Sequence, residues 1–258
     1  MARWTRREMT NGASLCLELA AGLLENGAET SRVEETVRMA GQAMGMDVEA
    51  MVHPTGITVG FGDGEVITRV ARIRERTINL SKVADLNKLS RAMHDDEKLS
   101  IALVRQQIRE IREQPSPYGI GLEFVATATT CCCLTLVLGG GVGEATVAML
   151  AGCLTALLLK GFSATFPTFL SLFGAGFLSS FVGLVAHYYA DLSVEPIVVG
   201  SLLYLMPGLA FVSAMRDLMA GELVAGNARL AEAVVVTLGM ASGVLACLAF
   251  AVRMGVST

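Results

Sequence analysis

The 258 residues carry 20 Lys and Arg against 24 Asp and Glu, and the net charge of -4 speaks against a nucleic-acid partner. At 53% apolar, the composition exceeds the roughly 45–50% usual for soluble domains, which argues against a single soluble fold. Charge is also segregated: sixteen of the 20 Lys and Arg and seventeen of the 24 Asp and Glu precede Pro117. Two chemically different segments therefore meet near Gln114-Pro115-Ser116-Pro117.

The chain opens with Arg3, Arg6 and Arg7, as a signal peptide would, but Glu18 and Glu25 interrupt the apolar residues that follow. Their spacing suits an amphipathic helix over 13–25 and predicts no cleaved leader. Gly27 offers a stop. Ser31-Arg32-Val33-Glu34 reads as a capping box opening a second helix, supported by Glu34 and Arg38 at i,i+4 and closed by Gly45. The pattern then turns to strand over 48–53, 57–61 and 65–73, with Gly62-Asp63-Gly64 as a hairpin turn. Helix returns from Lys82 to Arg112, with a polar break at His94-Asp95-Asp96-Glu97, and Pro115 and Pro117 end it. Residues 1–117 read as an α+β domain, cytosolic in the absence of a leader.

Residues 118–258 read as a transmembrane domain of about five helices. Apolar stretches at 120–138, 166–189, 196–215 and 230–252 approach the roughly 20 residues needed to span hydrocarbon. A shorter one, 145–159, lies between Gly139-Gly140-Gly141 and Lys160-Gly161 and counts as a fifth. The fold class is thus an α-helical polytopic membrane protein with an α+β N-terminal domain. Positive charge sets its orientation: the Lys- and Arg-rich N-terminal domain, Lys160, Arg216 and Arg229 fall inside, and the loop with Asp191 and Glu195 falls outside. That alternation places the C-terminus outside, with Arg253 the one dissent. Gly239 and Gly243, and Gly176 with Ser180, form small-xxx-small pairs for close helix contact within the chain.

Tyr204 to Asp217 carries the most chemical content. Pro207 removes a backbone donor and Gly208 loosens the helix beside it, so the pair can break the fourth span. The half-helix that follows would present free N–H groups and a positive dipole end to a carboxylate. Arg216 would attract an anion and Asp217 would carry a proton; the competing reading makes both topology anchors at the cytosolic interface. The six cysteines, Cys131-Cys132-Cys133 among them, sit without CxxC spacing or a neighbouring His, so they read as small apolar residues. No metal, no cofactor and no enzymatic activity is expected: His53, Thr55, Glu29 and Arg69 show no recognisable catalytic spacing, and the glycine run lacks a phosphate-loop ending.

The ordered strings Gly27-Ala28-Glu29-Thr30-Ser31-Arg32-Val33-Glu34, His53-Pro54-Thr55, Thr68-Arg69-Val70-Ala71-Arg72-Ile73, Leu86-Asn87-Lys88-Leu89-Ser90, Pro207-Gly208, Arg216-Asp217-Leu218 and 226–232 resemble the threonine/serine exporter (ThrE-like) family over nearly the whole chain. The resemblance implies a cytosolic N-terminal domain and proton-driven export of threonine, serine or a related small carboxylate such as succinate across the inner membrane. It also implies the large subunit of a split exporter that works with a separate small membrane subunit. Glu29, Arg32, Thr55 and Arg69 are then candidates for gating the pathway or binding a ligand, against the plainer reading of caps and surface pairs. The alternative function is a membrane-anchored sensor or regulator with a cytosolic ligand-binding domain; a plain anchor would not need a broken helix.

Overall fold

The computed structural model describes residues 5–61, 66–74, 76–95, 100–115, 118–162 and 165–255. The chain divides into two compact units: Met1–Pro115 with Val212–Leu230, and Ser116–Phe211 with Ala231–Thr258.

In the first unit, helix α1 (Arg6–Glu25) starts from a capping box about two turns earlier than its apolar pattern suggests. The Thr5 hydroxyl accepts the Glu8 N–H at 3.3 Å and the Glu8 carboxylate accepts the Thr5 N–H at 2.8 Å. Its apolar face buries Leu15, Leu19, Leu23 and Leu24, and Gly27 (φ 91°) ends it in the left-handed region. Helix α2 (Thr30–Ala43) begins differently from the expected capping box. Glu29 occupies the cap position but its side chain does not cap the helix backbone, Ser31 lies exposed inside the first turn, and Glu34 accepts the Val52 N–H at 2.9 Å. Val52 belongs to an edge strand whose outward donor has no ladder partner, so Glu34 satisfies a strand amide instead of a helix end.

Strands β1 (Val48–His53), β2 (Gly56–Phe61) and β3 (Ile67–Arg72) form an antiparallel meander, with Val52 opposite Ile57 and Val59 opposite Arg69. Ile57, Val59 and Phe61 alternate inward onto a core shared with α1, while Met51 and Val70 are exposed. The expected turn at Gly62-Asp63-Gly64 lies outside the described residues. Helices α3 (Leu80–Asp95) and α4 (Ile101–Glu113) add Leu86, Val104 and Ile108 to the core; of the expected polar break, residues 94 and 95 close α3 and residues 96–97 lie outside the described residues. The unit is completed by the C-terminal part of α9 (Gly208–Met219) and the first turns of α10 (Leu223–Arg253), joined through Gly221 at φ 89°.

The second unit holds α5 (Ile120–Val137), α6 (Val142–Phe162), α7 (Thr168–Ala190), α8 (Val194–Leu202) and a 3-10 turn at Leu203–Leu205. Helices α5, α6, α7 and α10 are long and apolar enough to cross a membrane, and the pair Val194–Leu205 and Gly208–Met219 makes a fifth if it counts as one broken span. Small residues set the α7–α10 contact. A Cβ on Gly243 would come 2.0 Å from the Phe173 carbonyl oxygen, and one on Gly176 would come 2.2 Å from that of Met240. The small-xxx-small pairs therefore pack inside the chain. Two pairs of hydroxyls bond within this unit: Ser179 bonds Ser201 at 2.6 Å, and Thr155 bonds Tyr204 at 3.1 Å.

Candidate functional site

The helix breaks where proline demands it. After the 3-10 turn the chain passes through Met206 and Pro207, and α9 starts at Gly208, bent by 54° from the preceding segment. A cavity of about 410 Å³ lies beside the break, lined by Pro207, Gly208, Phe211, Leu238 and their neighbours. Its polar side chain, Thr237, already donates to the Ala233 carbonyl at 2.9 Å. The start of α9 thus faces an apolar cavity.

Ionic chemistry gathers in the first unit instead. Asp217, 1% exposed, projects from α9, and Arg229, 7% exposed, from the first turns of α10. The Arg229 Nε lies 3.1 Å from Asp217 Oδ2. The same oxygen accepts the Thr30 hydroxyl at 3.2 Å, and Arg229 also donates to the Ala28 carbonyl at 3.0 Å. Asp217 Oδ1 is buried and accepts no hydrogen bond from the described residues. Beside the pair, exposed Arg216 donates to Glu29 at 2.5 Å.

This arrangement is possible because α9 and α10 form a tight hairpin. Gly221 makes the turn, and Gly226 packs where a Cβ would meet Leu218 at 2.6 Å and the Ala214 carbonyl oxygen at 3.0 Å. The close approach brings Asp217 and Arg229 together over the start of α2.

Glu34 stands in the electrostatic reach of the cluster. Burial raises its carboxyl pKa above the ordinary glutamate value; the Val52 N–H and His53 pull it down, and Glu222 and Asp217 push it up.

The chain matches the family described as "Putative threonine/serine exporter" over residues 14–251. The chain belongs to the threonine/serine exporter family. It is 28% identical over 236 residues to the "Probable succinate transporter subunit YjjP" of Klebsiella aerogenes, covering 90% of each chain. Its identity to the protein of the same description in Escherichia coli is 26% over 240 residues, covering 91% of this chain and 92% of that one. It is 25% identical over 238 residues to the "Probable threonine/serine exporter" of Mycobacterium tuberculosis, covering 90% of this chain but 44% of that protein. No solved structure matches. Family and apolar helices together make this a multi-pass membrane protein of an exporter family.

Of the residues singled out in sequence, the structure of this exporter-family chain brings Glu29, Arg216 and Asp217 together. Arg32, Thr55 and Arg69 are exposed on α2, the β1–β2 turn and β3, and none of them bonds Asp217 or Arg229. Pro207 and Gly208 belong to the second unit. Sequence reasoning missed Thr30 and Arg229 as site residues. Arg229 reads in sequence as a topology charge, and its signal is an arginine shortly after a glycine turn that returns it towards Asp217.

Proposed function

We propose that this chain is a subunit of an inner-membrane secondary exporter for threonine, serine or a related small carboxylate such as succinate, driven by protons and working with a separate small membrane subunit. In this reading residues 1–117 stand in the cytosol, five spans cross the membrane, counting the broken pair as one, and the C-terminus is external. Asp217 is the proton-carrying group. The observation that carries the reading is a nearly inaccessible carboxylate whose one oxygen is shared by Arg229 and Thr30 while the other is open to a proton.

A buried ion pair is held by mutual compensation, so protonating Asp217 removes the counter-charge of Arg229 and makes the paired arrangement costly. A substrate carboxylate reaching Arg229 restores the compensation. Proton uptake and anion binding are thereby coupled at one arginine. Arg216, exposed and paired with Glu29, offers an exchangeable cation at the entrance to that site, and the Glu29 pair is the gating element. The bend at Pro207-Gly208 frees the backbone groups of α9 and lets the half-helix move.

The test is efflux from proteoliposomes holding this chain with and without its small partner, loaded with labelled threonine, serine or succinate and given an imposed proton gradient. Efflux is expected with the partner present and in only one solute class. Asp217→Asn is expected to lose gradient-driven accumulation while sparing downhill exchange. Gradient-driven flux at the parent rate in Asp217→Asn would remove the proton-carrying role.

A further inference from the structure

A second ionic feature of the first unit has no part in that cluster. A cleft of about 770 Å³ opens between the end of β3, the loop after it, the start of α3 and the end of α4. Arg72, Arg74, Lys82, Arg109 and Arg112 line it, against the carboxylates of Glu25 and Glu113, leaving three positive charges in excess. Two of the five cations are committed to holding the floor. Arg112 Nη2 reaches both Glu25 oxygens, at 3.0 and 2.8 Å, and Lys82 Nζ donates to the Arg112 carbonyl at 2.6 Å. Arg72, Arg74 and Arg109 are exposed and make no ion pair among the described residues.

Three unpaired guanidiniums around one concavity repel each other, and a surface that needed only solubility would spread them apart. Two of them stand on ordered elements, Arg72 closing β3 and Arg109 on α4 one turn before the Glu25-bound Arg112, and Arg74 follows the end of β3 by two residues. Planar guanidinium forks match phosphate oxygens in pairs. Threonine and serine bring one carboxylate offset by their own ammonium and succinate brings two carboxylates, so none of them neutralises all three excess charges, and the cleft is far larger than any of them. The transported solutes proposed above therefore do not match it.

We propose that this cleft is a binding site for a compact polyanion carrying two or more phosphate groups, gripped by Arg72, Arg74 and Arg109 over the Glu25–Arg112 floor. The phosphates can come from a soluble metabolite or from a lipid headgroup. The site stands independently of the export reading, since neither its residues nor its ligand is shared with the Asp217 pair.

The experiment uses the full chain in phosphatidylcholine nanodiscs, titrated with sodium tripolyphosphate and separately with ATP, by calorimetry at low and high salt. Saturable binding that weakens with salt is expected. Arg72→Gln/Arg74→Gln/Arg109→Gln should raise the dissociation constant at least about tenfold, since each lost charge-assisted bond counts. The substituted side chains are exposed, and an unchanged elution volume confirms that the variant is folded. Repeating the titration in phosphatidylcholine nanodiscs doped with cardiolipin, whose headgroup carries two phosphates, separates the sources. Undiminished binding there assigns a soluble ligand, and loss of tripolyphosphate binding there assigns the lipid headgroup. No binding in phosphatidylcholine, or equal binding by the triple variant, overturns the proposal.

Discussion

Arg229 Nε sits 3.1 Å from Asp217 Oδ2, with both residues all but removed from solvent, so each charge depends on the other. Breaking a buried pair by removing one partner leaves an uncompensated charge and costs about 3–5 kcal/mol, whereas removing both is far milder. Arg229→Leu should therefore lower the melting temperature of the purified chain markedly, and Asp217→Asn/Arg229→Leu should recover most of the loss. Thermal unfolding in detergent reads the difference. A double variant as unstable as Arg229→Leu would mean that the arginine matters through its bond to the Ala28 carbonyl and not through Asp217.

Glu34 gives a pH signature. Burial raises its pKa in the folded chain above its unfolded value, so protonated Glu34 suits the fold and ionised Glu34 does not. The associated stability is fully present below the unfolded glutamate pKa and is lost as pH rises through the raised folded value. Glu34→Gln keeps an acceptor for the Val52 N–H and removes the titration. Its melting temperature should exceed the parent's at neutral pH and converge with it at acid pH. Parallel melting curves across that range would show that the carboxyl does not titrate in this environment.

Most of the fold can be read from the sequence, because periodicity and punctuation act locally. The strands at Val48–His53 and Gly56–Phe61 follow from β-branched alternation, and the ends of α1 and α2 from Gly27 and Gly45, both at positive φ. The spans follow from apolar length, and the break from Pro207. What escapes is long-range. Ser31 and Glu34 have capping-box spacing, yet Glu34 serves an edge strand. Thr30 and Asp217 meet across most of the chain length, and Arg229 meets both only because Gly221 and Gly226 fold α9 against α10. No local pattern encodes such a meeting, so the candidate site was half legible: Glu29, Arg216 and Asp217 from their charge, Thr30 and Arg229 not.

The α7–α10 contact makes a prediction about assembly within the membrane. Lipid gives packed helices no hydrophobic advantage, so close backbone approach through small residues holds them. Gly243 faces the Phe173 carbonyl and Gly176 faces that of Met240, each too close for any side chain. Gly243→Leu should separate the helices and sharply reduce the yield of monodisperse protein, because overpacking costs typically about 1–3 kcal/mol and backbone here cannot yield. Substituting Gly161, which has nothing within 4 Å, by Leu should leave the yield unchanged. Equal yields for the two variants would mean that the α7–α10 contact contributes little.

A variant of the broken helix can test transport apart from folding. Pro207 has no N–H to give and Gly208 opens α9, so the 3-10 turn at Leu203–Leu205 ends and the chain bends by 54°. The dipole end of α9 offers an anion roughly 0.3–1 kcal/mol when exposed and up to about 2 when partly buried. The adjoining cavity is apolar, so the backbone would have to supply that help alone. Replacing Pro207-Gly208 by Ala-Ala should favour a continuous helix, because alanine is the best helix former and restores the missing donor. Insertion and melting temperature should be kept or improved, since Gly208 has nothing within 4 Å for a Cβ to strike. Export should fall to background if the half-helix must move or hold the solute. Flux assays beside a membrane-insertion control read both effects at once. A double-alanine variant that inserts and exports at the parent rate would reduce the bend to a packing feature and leave the Asp217–Arg229 pair as the sole candidate for coupling.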